Sequence, residues 1–132
     1  MKVVLDTNVL VSGIFWRGTS RSILELWARE QLEVLVSPLI LKEYERVIFE
    51  VESEKRTGLT EEWWKFIIHH SILIYPEETL HICRDPDDDK FLNCAVNAGA
   101  RYLVSGDDDL LVLKEIYGIP ILKPREFLNY KS

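Results

Sequence analysis

Residues 2–6 read Lys-Val-Val-Leu-Asp, a short apolar run that ends on a carboxylate. An uninterrupted apolar run of this length is typical of a strand that is buried on both faces of a sheet. Residues 33–36 repeat the pattern, and residues 72–75 and 101–105 provide two more candidate strands. Because these strands alternate with segments of helical periodicity, the sequence predicts an α/β fold with a mainly parallel sheet covered on both faces.

The signals that start and stop helices lie between these strands. Ser37-Pro38 and Asp85-Pro86 each read as an N-cap followed by proline at the first helical position, and Gly99 ends the second of these helices. The first helix carries one apolar stripe, which consists of Ile40, Tyr44, Val47 and Val51. Further helices are predicted over residues 18–31, 60–68, 107–117 and 124–130, with a last short strand over 118–122.

Composition indicates one ordinary globular domain over residues 1–132, without a signal peptide or a membrane span. The two cysteines lack the spacing of a zinc site, so we expect reduced thiols in a cytoplasmic protein. The formal net charge of −6 argues against nucleic-acid binding through a basic surface. That objection weakens if carboxylates gather around divalent cations, because bound metal reverses the local charge.

Two aspartates follow predicted strands. Asp6 ends the first strand, and Asp107 follows the strand that ends at Ser105. Ligands of open α/β sheets bind outside the carboxyl ends of the strands, so both carboxylates are expected at that edge. A turn or N-cap role is the alternative for each of them.

Two further acidic side chains are expected to point toward the same edge of the sheet. Glu43 has Ile40 and Val47 on its own side of the helix, which a surface or ion-paired glutamate would not require. In the run Asp85-Pro86-Asp87-Asp88-Asp89, capping cannot explain all four acids, because charges so close repel one another. Asp88 shares a stripe with Leu92 and Ala95 and is the preferred candidate, with Asp89 in reserve.

Four carboxylates that converge on one edge of the sheet repel one another, and bound cations would relieve that repulsion. Oxygen ligands suit Mg²⁺ or Mn²⁺, and two such ions can activate water and stabilise the leaving oxygen in phosphodiester cleavage. The residues therefore favour metal-dependent hydrolysis of a phosphodiester.

The ordered set of these motifs resembles the PIN domain. The resemblance rests on residues 3–10, on Ser37-Pro38 with Glu43, on residues 85–92 and on residues 103–110, and it covers nearly the whole chain from Lys2 to about Leu128. The similarity is greatest to the VapC-like branch, whose members are described as toxins of toxin–antitoxin systems.

This resemblance implies a three-layer α/β/α sandwich and Mg²⁺- or Mn²⁺-dependent endonucleolytic hydrolysis of RNA that leaves a 5′-phosphate and a 3′-hydroxyl. It also implies an antitoxin protein as a partner and a homodimer, and the aromatic segment Trp63–Ile67 could form the dimer interface or simply fill the core. Carried over by motif, the catalytic metal ligands are Asp6, Glu43, Asp88 and Asp107, with Asp109 as an accessory acid and Asn8 and Ser105 as supporting polar residues.

Three alternatives compete with this hypothesis. The same fold could be a catalytically silent RNA-binding or scaffold module, although such a module has no need to keep like charges together. A DNA nuclease of the flap-endonuclease type would need DNA-gripping segments for which the chain has no room. A phosphatase or response-regulator-like domain would need a second aspartate after Asp6, where Asn8 stands.

Overall fold

The computed structural model describes residues 1–77 and 79–131, the last without its side chain. Ser132, the final residue of the predicted domain, lies outside the described residues, as does Glu78. Six strands form one sheet with the order β3-β2-β1-β4-β6-β5. These strands are β1 (Lys2–Leu5), β2 (Glu33–Val36), β3 (Ile72–Leu73), β4 (Tyr102–Val104), β5 (Glu115–Ile116) and β6 (Ile119–Leu122).

Helices cover both faces of this sheet. Val3, Val4 and Leu5 are all fully buried, although successive side chains of a strand point to opposite faces. The fold is therefore the expected α/β/α sandwich. Its helices are α1 (Thr7–Phe15), α2 (Gly18–Ala28), α3 (Pro38–Lys55), α4 (Thr60–His70), α5 (Asp89–Ala98), α6 (Asp108–Leu111) and α7 (Pro124–Lys131), with a 3-10 turn over Pro86–Asp88 before α5.

Strand order changes direction at β1. The chain moves outward from β1 to β2 and β3, and then returns to place β4 on the other side of β1. All of these pairings are parallel, and only the β5–β6 pair is antiparallel among the described strands. The carboxyl ends of β1 and β4 therefore lie side by side where the order reverses, which is the usual ligand position in such sheets.

Helix α3 begins as predicted but buries a slightly different stripe. The Ser37 side chain accepts a hydrogen bond from the Ile40 amide at 3.3 Å, with proline at the first helical position. Ile40, Tyr44 and Ile48 are fully buried, whereas Val47 and Val51 are half-buried against the core. The Tyr44 hydroxyl also donates to the carbonyl of Leu5 and so joins α3 to the end of β1.

The prediction of a helix over residues 107–117 is largely wrong. Helix α6 ends at Leu111, and a β5–β6 hairpin follows. Tyr117 and Gly118, the two residues between the paired Ile116 and Ile119, have φ angles of 47° and 80°. Positive φ at both positions is the signature of a tight hairpin turn and cannot continue a helix. The strands predicted over 72–75 and 101–105 are also shorter, at two and three residues.

Helix α1 has no counterpart in the sequence prediction. Six of its nine residues are buried, so it lacks the alternation of apolar and polar faces that reveals a surface helix. It packs tightly on α2: a Cβ built at Gly13 would lie 2.7 Å from Leu24 Cδ1 and 2.9 Å from the Ser20 carbonyl oxygen.

The aromatic segment of α4 packs on the chain's own core. Ile67 is fully buried, and the Phe66 ring meets the Trp27 ring edge-to-face at 4.9 Å between centroids.

No helix in the described part of the chain combines the length and the apolar content that a membrane crossing needs.

The close α1–α2 contact leads to a stability prediction. Gly13→Ala should lower the free energy of unfolding by about 1–2 kcal/mol, because overpacking outweighs the gain in helix propensity. Thermal unfolding of the metal-free protein measures the effect. Gly106→Ala is the control, since its Cβ would meet nothing within 4 Å. Equal melting temperatures for the two variants would contradict the proposed contact.

Candidate active site

Two of the expected carboxylates lie at the switch point of the sheet. Asp6 follows β1 directly, and its amide donates to the Val104 carbonyl of β4 at 2.9 Å. Asp107 lies three residues beyond the end of β4 and is the N-cap of α6. Asp6 is only 3% exposed, so its carboxyl group lies largely out of water.

Ser105 connects these two aspartates. Its hydroxyl donates to Asp6 Oδ2 at 2.6 Å and accepts from the Asp107 amide at 2.9 Å, and the residue is fully buried. Asp107 Oδ1 in turn accepts from the Asp109 amide at 2.9 Å. The serine therefore fixes the Asp6 side chain relative to the loop that carries Asp107.

The electrostatics of Asp6 reflect its crowded surroundings. Burial raises the pKa of its carboxyl group, the Ser105 hydrogen bond partly offsets that rise, and the negative charges of Asp107 and Glu43 add to it. A cation placed here would offset both the cost of burying the Asp6 charge and the repulsion from Asp107 and Glu43.

Asp88 joins this group from the 3-10 turn. It is 8% exposed, and its Oδ2 has no hydrogen-bond partner among the described residues. Burial, then a carboxyl–carboxyl hydrogen bond with Asp107, then the charges of Asp107, Asp6 and Asp85, raise the pKa of Asp88 to about 8. A buried carboxyl oxygen without a donor is costly, and a cation bound beside it would offset that cost.

Asp89 has a different role from its neighbour. Its Oδ1 accepts from the backbone amides of Ile82 and Cys83, at 3.1 and 2.8 Å, and the residue is buried. These bonds hold the segment before the 3-10 turn against the start of α5. The geometry thus places Asp88 in the acidic group and leaves Asp89 as an anchor for the loop.

A tight acidic cluster includes Asp85, for which the sequence pattern predicted only a capping role. Carboxylate oxygens of Asp85, Asp88 and Asp109 all lie within 4.8 Å of one another. Asp85 does cap the turn, accepting from the Asp87 amide at 3.0 Å, which is the role the local pattern suggested. Its place in the cluster depends on Asp109, which lies 24 residues away in the chain, so no local pattern could have shown it. Arg84 pairs with Asp109 at 2.9 Å, but its side chain is 61% exposed.

Glu43 lies outside the three-aspartate cluster and is already paired. Lys90 Nζ lies 2.6 Å from its Oε1, and the Thr7 hydroxyl donates to its Oε2. Lys90 also lies 3.1 Å from Asp87. These partners, rather than burial, raise the pKa of the Lys90 ammonium, since burial alone would lower it. Glu43 is close enough to raise the pKa of Asp6 but is not part of the tight cluster.

The remaining supporting residue, Asn8, is exposed. It lies on the first turn of α1 and lines a shallow cavity of about 280 Å³ with Ser12, Ser20 and Gly106. The structure therefore places Asn8 near Gly106, on the loop that carries Asp107.

The family model for the PIN domain matches residues 2–109. The chain belongs to the PIN-domain family. An uncharacterized protein of Methanocaldococcus jannaschii, MJ1680, is 34% identical over 119 residues, which cover 87% of this chain and 76% of that protein.

Two solved structures share the fold of this PIN domain. VapBC2 from Rickettsia felis, determined bound to a DNA fragment from its promoter, superposes with a TM-score of 0.61 at 18% identity, covering 93% of this chain and 98% of that one. PAE2754 from Pyrobaculum aerophilum also gives 0.61, at 14% identity, covering 98% and 88%. At these identities the likeness supports the sandwich architecture alone.

The contrast between Asp88 and Asp89 can be tested by unfolding. Between about pH 4, the unfolded value, and pH 8, a folded chain that keeps Asp88 protonated binds more protons than the unfolded chain, so its stability falls as pH rises. Asp88→Asn removes that loss. In EDTA, its melting temperature should exceed that of the wild type at pH 8 by a few degrees, about 3–5 °C per kcal/mol, and by less at pH 5.

Asp89→Ala serves as the matched comparison. It leaves two backbone amides without their acceptor and should lower stability by about 1–3 kcal/mol at both pH values. The assignment fails if Asp88→Asn is destabilising at pH 8, or if Asp89→Ala leaves the melting temperature unchanged.

Proposed function

We propose that this PIN domain is a divalent-metal-dependent endoribonuclease. The observation that carries the proposal is the buried Asp88 oxygen without a donor, placed beside Asp107 and Asp6 where the sheet order reverses. A scaffold gains nothing from this arrangement, because it costs stability in the metal-free protein. A nuclease uses it to hold a hard cation next to a phosphodiester.

The donor set fits Mg²⁺ or Mn²⁺. All candidate ligands are carboxylate oxygens, which these ions prefer, and Cys83 and Cys94, which are buried, are not among them. Asp88, Asp85 and Asp109 would hold the ion, with Asp6, Asp107 and Glu43 around it. When bound, the ion would act as a Lewis acid on the phosphodiester and lower the pKa of water.

The chain's own residues prepare that chemistry by orientation. Ser105 fixes Asp6, the Asp109 amide fixes Asp107, and the paired amides on Asp89 fix the turn that carries Asp88. Catalytic groups positioned in advance lose little entropy on reaching the transition state. A carboxylate that reaches the attacking water from this rim would accept its proton.

We also propose a role as the toxin of a toxin–antitoxin pair, with an antitoxin protein as its partner and RNA as its substrate. The support is the shared fold with the toxin–antitoxin complex VapBC2, together with the motif resemblance of the sequence. We place the enzyme in the cytoplasm, where two free thiols such as Cys83 and Cys94 remain reduced. A homodimer remains a prediction. The aromatic segment of α4, which could have formed its interface, packs on the core of its own chain.

Asp6→Asn tests the nuclease proposal. It should lower Mn²⁺-dependent cleavage of a structured RNA by about 100-fold or more, or about 2.7 kcal/mol of transition-state stabilisation, while leaving the circular dichroism spectrum unchanged. Asp107→Asn should act in the same direction. The matched control is Asp108→Asn, which alters an exposed neighbour in the same turn.

Cleavage within a few-fold of the wild type in Asp6→Asn, with metal dependence intact, would contradict the assignment. Absence of cleavage by the wild-type chain in millimolar Mn²⁺, on structured and single-stranded RNA alike, would favour the silent RNA-binding module instead.

A further inference from the structure

One basic side chain lies inside the acidic rim. Lys90 Nζ lies 2.6 Å from Glu43 Oε1 and 3.1 Å from Asp87 Oδ1, and only 11% of the lysine side chain is exposed. Lysine is almost never this buried unless it is paired. Its ammonium is therefore a fixed positive charge, held 47 residues from Glu43 in the sequence but in direct contact with it.

The acidic side chains at this edge of the sheet form two halves, one around Lys90 and one around Asp88, which differ in how their negative charge is compensated. In the half around Lys90, both oxygens of Glu43 are engaged, one by Lys90 and the other by the Thr7 hydroxyl. In the other half, the oxygens of Asp85, Asp88 and Asp109 converge, and Asp88 Oδ2 lacks a partner among the described residues. Arg84 pairs with Asp109 of that cluster at 2.9 Å, but its side chain is 61% exposed. The cation that compensates Glu43 is therefore buried, whereas the cation beside the three aspartates lies largely in water.

We propose that Lys90 takes the place of a second divalent cation, so that this PIN domain works with one bound divalent ion and one lysine ammonium. The inference rests on the proposed nuclease function and specifies its metal stoichiometry. The single ion belongs to the half of Asp85, Asp88 and Asp109.

The ammonium is suited to the task that a second cation would perform. It has three N–H donors, of which Glu43 and Asp87 engage two among the described residues. The third remains for a phosphate oxygen of a substrate that reaches the rim. As a compact point charge, a lysine ammonium binds phosphate without needing a particular orientation.

A direct count of bound metal tests the proposal. Mn²⁺ is titrated into the full chain, and free Mn²⁺ is followed by electron paramagnetic resonance with calorimetry as a second readout. The wild type is expected to bind one Mn²⁺ per chain. Lys90→Met is expected to bind two, because it frees Glu43 and Asp87. Lys42→Met is the control. It removes an exposed lysine that adjoins Glu43 in α3, and it should bind one Mn²⁺ per chain.

Lys90→Arg keeps the charge and guards against a folding defect in Lys90→Met. It should bind one Mn²⁺ and retain the circular dichroism spectrum of the wild type. Cleavage should rise with the first power of Mn²⁺ concentration in the wild type and Lys90→Arg, and more steeply in Lys90→Met.

Two Mn²⁺ per wild-type chain, or one in a folded Lys90→Met with unaltered affinity, would overturn the inference. Two ions with RNA cleavage intact would overturn it alone and leave the nuclease proposal standing. No bound Mn²⁺ in any variant would overturn both.

Discussion

Repulsion among carboxylates in a poorly hydrated place is the constraint on which this structure depends. Asp6 and Asp88 are nearly buried, they lie close to Asp107, and each has a raised pKa because burial and neighbouring charges both oppose ionisation. A fold selected for stability alone would replace such a group with apolar side chains. Its retention at the point where the strand order reverses is explained if a cation joins it, because the cation turns each unfavourable charge into a ligand.

The surrounding contacts keep the acids from separating. Ser105 bridges two loops, Asp89 holds the segment before the 3-10 turn through two amides, and Tyr44 ties α3 to the end of β1. A cation at this edge of the sheet would therefore meet ligands such as Asp6 and Asp107 that hydrogen bonds already position.

The elements that meet at this edge of the sheet could be predicted from the sequence, but their side-chain partners could not. Asp6 and Asp107 could be placed because each follows an apolar run, and a parallel sheet brings such ends together. The pairing of Glu43 with Lys90 could not, because it joins residues 47 positions apart. For the same reason the closeness of Asp85 to Asp109 could not be predicted. The hairpin after α6 was missed because Tyr117 and Gly118 adopt positive φ where local periodicity suggested a helix.

The most direct test of the central claim is a crystal structure of the wild-type chain soaked in Mn²⁺, with anomalous scattering recorded at a wavelength where manganese scatters strongly. We expect an anomalous peak among Asp85, Asp88 and Asp109, with Asp88 Oδ2 in contact with the ion and Lys90 still paired with Glu43. An acidic rim with the same geometry and no peak above noise at millimolar Mn²⁺ would contradict it.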